Sequence, residues 1–160
     1  HALLEELPLL PAESRQATAA VRLQQIAPEA AAAHDGWIAE ACAVLALPGA
    51  APFFTSDAAA EIALSWAAPD GRRIAGRIDR LRVGECVEAV DFKTDVAPPE
   101  SAETVPEGYL RQMAVYEAAL QALFPGRPVV LSLLWTRTGR LMPLPPALLN
   151  EARRRLCASA

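Results

Sequence analysis

The sequence predicts an α/β fold: a mixed sheet containing an antiparallel three-strand meander, flanked by helices, in the order α-β-β-β-α-β. Three observations carry this expectation. Alanine-rich stretches of helical length fill the first third of the chain, and the hydrophobic period then shortens to two between Ile62 and Phe92. A helical segment followed by an apolar run of strand length comes after that, as in a sheet extended by a crossover. With 160 residues, 52% of them hydrophobic and 21% charged, the chain is long enough to bury roughly two-thirds of its unfolded surface, which excludes a disordered tail.

Residues 12–27 and 28–47 read as two helices, the second opened by Pro28-Glu29 and stopped by Pro48-Gly49. Ile62, Leu64 and Trp66 alternate as in a strand, with Glu61 just before it, and Asp70-Gly71 reads as a hairpin turn. Strands over 74–83 and 87–92 follow, joined about Gly84-Glu85. A proline-bearing loop spans 94–106, and a helix over 107–124 ends at Pro125-Gly126. Residues 129–136 form a buried strand, 140–144 a short edge strand and 146–156 a final helix. No boundary divides the chain, so one domain is expected over 1–160, with a helical third over 1–50 and a mixed core over 58–145.

No apolar run approaches the ~18 residues of a membrane span, and the start HALLEELPLL lacks the basic flank and cleavage site of a secretory signal. A soluble, intracellular protein is expected. Cys42, Cys86 and Cys157 are odd in number and far apart, so they form no disulfide framework or metal cluster and read as small core hydrophobes. The net charge of -4 argues against a generic nucleic-acid coat, but its average hides two basic patches. Arg72, Arg73, Arg77, Arg80 and Arg82 form one, and Arg153, Arg154 and Arg155 the other. Of the 15 basic residues, only Lys93 is a lysine. An ammonium is a compact point charge where a guanidinium is a broad fork, so position 93 has a use for the smaller shape.

The chemistry concentrates on the meander. Asp91 and Lys93 are two apart on a strand and share a face, and Asp79 lies on the strand before. Two carboxylates beside one ammonium make a place where a hard divalent cation sits against oxygens; the plainer reading is a salt-bridged strand pair. Both aspartates reach one ion only if they point to one face. That requires a three-residue connection, Gly84-Glu85-Cys86, or a bulge near the site, and the register then sets Arg82 opposite Glu88. Gln112 and Tyr116 are four apart on the next helix, hence on one face, where an amide and a phenol can orient a phosphate or the lysine. His34, in an alanine-rich helix, reads as a packing or surface histidine.

These residues, in this order, resemble a PD-(D/E)XK nuclease domain of the RecB type, most closely the C-terminal nuclease domain of bacterial AddA helicase-nucleases. The matching segments HALLEELP, GRIDRL, VDFKTD, PEGYLRQMAVYEAAL and VVLSLLWT span nearly the whole chain. The resemblance implies a restriction-endonuclease-like core and a Mg2+- or Mn2+-dependent DNA exonuclease acting in double-strand break processing and recombinational repair. It implies that Asp79, Asp91 and Lys93 are catalytic, and that His1, Asp79, Asp91 and the Phe92 backbone carbonyl ligate the metal. Gln112, Tyr116, Arg77 and Arg80 then support the site or touch DNA.

The resemblance further implies DNA ends and single strands as partners, a second AddB-like subunit, an ATP-driven motor in the full-length protein, and the bacterial cytoplasm. No GxxxxGK[ST] phosphate loop occurs in these residues, so the motor lies outside them. In the family the histidine follows a helical turn that is absent here, so the chain reads as a fragment of a larger protein. Two other readings stay open: a nuclease-fold module that binds DNA or a partner without cutting, and an unrelated metal-binding or structural α/β domain.

Overall fold

The computed structural model describes residues 1–67, 71 and 73–158, apart from the side chains of Trp66, Ile74 and Cys157. The hairpin turn expected at Asp70-Gly71 and the Arg72 of the first basic patch thus lie outside the described residues, save for Gly71 itself. The helices are α1 (Ala2–Glu6), α2 (Ala12–Ile26), α3 (His34–Leu45), α4 (Glu107–Leu123) and α5 (Pro146–Ala158). The strands are β1 (Ala58–Ala67), β2 (Arg73–Val83), β3 (Val87–Lys93), β4 (Val129–Trp135) and β5 (Arg140–Pro143).

The strands form one sheet in the order β1-β2-β3-β4-β5. Neighbours are antiparallel except β3 and β4, which run parallel and so need the long crossover that α4 supplies. The mixed α/β architecture is therefore the expected one. Each sheet face has its own core. Val87, Ala89, Leu131, Leu133 and Trp135 pack beneath α4 and α5. Val90, Phe92 and Leu134 point the other way and meet Leu3, Leu7, Leu23 and Val44 of the N-terminal helices. Alternation along β3 thus sends Asp91 and Lys93 to the α4 side.

Two elements differ from expectation. The second helix begins only at His34, because residues 28–33 wind as 3-10 turns with a break at Ala30 (φ -101°, ψ 24°). Proline pushes the preceding Ala27 out of the helical region, and none of the four alanines that follow is buried, so there is no apolar face to hold a helix. Strand β1 begins at Ala58, four residues before Ile62, since alanine carries no period-two signal and the strand is made by pairing with Arg82, Leu81 and Arg80 of β2. Glu61 is therefore inside a strand.

The β2–β3 connection has three residues, with Val83 paired to Val87 and Arg82 to Glu88, and Arg82 Nη1 lies 2.6 Å from Glu88 Oε2. The ladder stops at Arg80 and Val90. Beyond it the pleat of β2 changes phase. Ile78 and Leu81, three apart, both lie in the core beneath α4, whereas Arg80 turns toward α1. Regular alternation forbids that, and the break falls at Asp79. Its neighbour across β1 is Glu61, which takes a left-handed φ of +53° that non-glycine residues adopt at a cost.

Candidate active site

Where β2 and β3 part, Asp79 fills the gap with its side chain. Its Oδ2 accepts the Phe92 backbone N–H at 2.5 Å, and its Oδ1 faces His1 Nδ1 at 3.3 Å. His1 stands at the N-cap of α1 and rests edge-on against the Phe92 ring, with centroids 5.6 Å apart. The bond to Asp79 raises the His1 pKa, and burial opposes the rise.

Arg80, expected to support the site or touch DNA, is only 3% exposed. It donates from Nη2 to the carbonyl of Leu4 and, at 3.3 Å, to that of Glu5, and its guanidinium lies over the Phe54 ring. It thereby anchors the helix that carries His1. Arg77 is the opposite case: its side chain is 66% exposed and pairs with Glu61 Oε2 at 3.1 Å.

On the α4 side, Lys93 Nζ donates to Asp91 Oδ2 at 2.7 Å and to Gln112 Oε1 at 2.9 Å. Gln112 Nε2 donates to Asp91 Oδ1 at 3.2 Å and to Tyr116 Oη at 2.9 Å. A lysine only donates and a carboxylate only accepts, so the pair dictates which way the amide faces. Tyr116 Oη donates to the Arg77 carbonyl at 2.8 Å and accepts the Arg77 N–H at 3.2 Å. Gly76 makes room for this: a Cβ there would lie 2.5 Å from Tyr116 Cε1. Burial pushes the Asp91 carboxyl up, Lys93 opposes, and the nearby Asp79 charge adds to the rise.

The structure thus brings His1, Asp79, Asp91, Lys93, Gln112 and Tyr116 to one end of the sheet. Among the described residues, the group whose ligand atoms all lie within 4.8 Å of one another is His1, Glu61 and Asp79. One imidazole nitrogen and two carboxylates suit a divalent cation such as Mg2+ or Mn2+, so the residues present fit a metal. Both Asp91 oxygens are engaged by Lys93 and Gln112.

Glu61, which the sequence set just before a strand as a residue that could face the site but did not count among its ligands, is brought into the site as part of β1. Tyr109 is the other neighbour of Lys93, with Nζ 3.9 Å from its ring centre. Its spacing of three before Gln112 on the same helix face was a readable signal. His34, by contrast, packs as expected: it is buried, its Nε2 lies 2.8 Å from the Ala27 carbonyl, and its ring leans on Trp37. Beside His1 opens a cavity of about 430 Å3 lined by Leu3, Leu23, Ile26, Trp37 and Arg137. No helix among the described residues is long and apolar enough to cross a membrane, and Cys42 and Cys86 are free thiols.

The family model described as the PD-(D/E)XK nuclease superfamily matches residues 1–152. A search of curated proteins gives no match.

Proposed function

The chain belongs to the PD-(D/E)XK nuclease superfamily, and from that premise we propose that it is a divalent-metal-dependent deoxyribonuclease that hydrolyses phosphodiester bonds. The observation that carries this reading is the juxtaposition of two groups at one end of the sheet. The His1, Glu61 and Asp79 donors lie within 4.8 Å of one another, and the Asp91–Lys93 pair stands on the adjoining strand.

His1 and Asp79 would hold the cation from the β2 side, with Asp91 and the Phe92 carbonyl from the β3 side and Glu61 from β1. When bound, a Mg2+ or Mn2+ supplies charge relief on the phosphate and a more acidic water. Lys93 donates an N–H to orient the attacking water and sets its compact charge beside the scissile phosphate. Gln112 keeps Lys93 and Asp91 in mutual register, and Tyr116 locks Gln112 to the β2 backbone. Arg77, the exposed cation of this group, contacts the DNA backbone.

We extend the proposal to the setting that the motif order suggests. The chain is the exonuclease domain of a bacterial helicase-nuclease of the AddA kind, works with a second AddB-like subunit, and trims DNA ends during cytoplasmic break repair.

Digestion of end-labelled DNA with Mg2+, with Mn2+ and with chelator tests the core of the reading. Metal-dependent cleavage by the parent and none by Asp91→Ala, with both chains folded by circular dichroism, is the expected result. Equal cleavage by Asp91→Ala overturns the site. Metal-dependent DNA binding without cleavage by the parent overturns the nuclease reading in favour of a binding module.

A further inference from the structure

We propose that Tyr109 is a positioning residue for Lys93, holding the ammonium against the face of its ring on the bearing that hydrolysis uses. The catalytic half of this proposal rests on the nuclease reading above. Lys93 is the last residue of β3, so the strand fixes only the root of a four-carbon stem with several free torsions. Something must aim its far end. Three neighbours do so: Asp91 Oδ2 at 2.7 Å, Gln112 Oε1 at 2.9 Å and the Tyr109 ring, whose centre lies 3.9 Å from Nζ.

The face of an aromatic ring is electron-rich and attracts a cation, most strongly where water is excluded. Lys93 is 9% exposed, which places it in that regime. The three neighbours are not equivalent. Asp91 is also asked to hold a cation during the reaction, and Gln112 divides its amide between Lys93, Asp91 and Tyr116. The ring face has no such second duty.

Tyr109 is itself held from two directions. Its hydroxyl donates to Asp95 at 3.0 Å from Oδ2 and 3.2 Å from Oδ1. Its ring packs on Trp135 with centroids 6.1 Å apart at 57°. Trp135 closes β4 opposite Lys93, so the strand beside Lys93 also supports the ring that aims it. The placement of the ammonium therefore depends on the ring and not on the hydroxyl, which separates two substitutions: Tyr109→Phe keeps the face and Tyr109→Leu removes it.

Lys93 is the only lysine, so protein made with isotope-labelled lysine reports it as a single side-chain signal. Nuclei above a ring face are shifted upfield. The expected result is an upfield Lys93 signal in the parent and in Tyr109→Phe, lost in Tyr109→Leu. Turnover in Tyr109→Leu should fall about tenfold with its DNA dissociation constant unchanged, and Tyr109→Phe should recover most of the turnover.

A Lys93 signal that is not shifted in the parent, or that Tyr109→Leu leaves in place, overturns the proposal. Undiminished turnover in Tyr109→Leu overturns it too, as does a loss that appears only in DNA binding. If Tyr109→Leu does not fold, Tyr109→Met, which keeps reach and apolar contact with Trp135, takes the same two measurements. A parent that cuts no DNA defeats the nuclease reading, while the lysine signal still decides separately whether the ring holds Lys93.

Discussion

Lys93 and Glu61 are the residues whose individual chemistry the proposed reaction tests most sharply. Lys93 sits between a carboxylate at 2.7 Å, an amide at 2.9 Å and a ring face. A planar fork is too broad for that enclosure, so Lys93→Arg should bind DNA about as tightly as the parent yet lose most of its turnover. Lys93→Ala should lose turnover too, with weaker binding and a shallower salt dependence. Cleavage and binding measured at two salt concentrations separate the cases, and an active Lys93→Arg shows that charge alone suffices. Glu61 holds a left-handed φ of +53° within reach of His1 and Asp79. Strain of this kind is tolerated where the surroundings demand the position. Glu61→Gln should weaken Mn2+ binding, measured by calorimetry, by about tenfold or more, and an unchanged affinity removes Glu61 from the ligand set.

At the scale of elements, α4 and β2 are pressed together by a glycine. Gly76 lets the Tyr116 ring lie directly on the β2 backbone, where its hydroxyl bonds both the N–H and the carbonyl of Arg77. Gly76→Ala would put a Cβ 2.5 Å from Cε1 and 2.9 Å from the hydroxyl, and Tyr116 would have to leave. Loss of those bonds should cost roughly 1–3 kcal/mol and free Gln112, the link between helix and Asp91. A thermal melt should show the destabilisation and the DNA digestion a slower cut; a parental melting temperature with parental cleavage means the ring shifts at no cost. The loop after β3 is fixed as well, since Arg140 Nη1 donates to the Pro99 carbonyl at 2.9 Å.

Across the whole molecule, the sheet separates an N-terminal helical layer from the layer of α4 and α5, and the buried charges divide between them. Arg80 is buried with the first layer and Asp91 and Lys93 with the second. Glu117 lies in the second layer too, outside the site. It is 2% exposed on α4, and its Oε2 has no hydrogen-bond partner among the described residues. Burial pushes its carboxyl up, with Arg153 opposing. A raised folded-state value means that the folded chain holds the proton more tightly than the unfolded one. The stability this contributes is full below the unfolded value and is lost as pH rises through the folded value. Melting temperature should therefore fall as pH climbs from the ordinary glutamate range toward neutrality. Glu117→Gln should flatten that fall and gain about 1–3 kcal/mol at neutral pH. A variant whose melting profile tracks the parent's across that range refutes the assignment.

Much of the fold was legible because covalent geometry acts over a few residues. Period-two and period-3.6 patterns marked the meander and the crossover helix, and the i, i+2 and i, i+4 rules set Asp91 beside Lys93 and Gln112 beside Tyr116. Even the three-residue connection was legible, and it sets Arg82 opposite Glu88, although the ladder stops at Arg80 and Val90, one pair short of Asp79 and Asp91. Other features of the site depend on partners far apart in the chain. Glu61 entered the site because alanines with no pattern of their own became a strand when β2 paired with them. Arg80 turned from a surface cation into an anchor for His1 because its pairing with Val90 faces it toward the N-terminal helices, where it meets carbonyls 75 and 76 positions earlier. Tyr109 came over Lys93 because a parallel crossover laid α4 across the end of β3. Such contacts depend on register, twist and packing among distant segments, and local spacing carries no record of them.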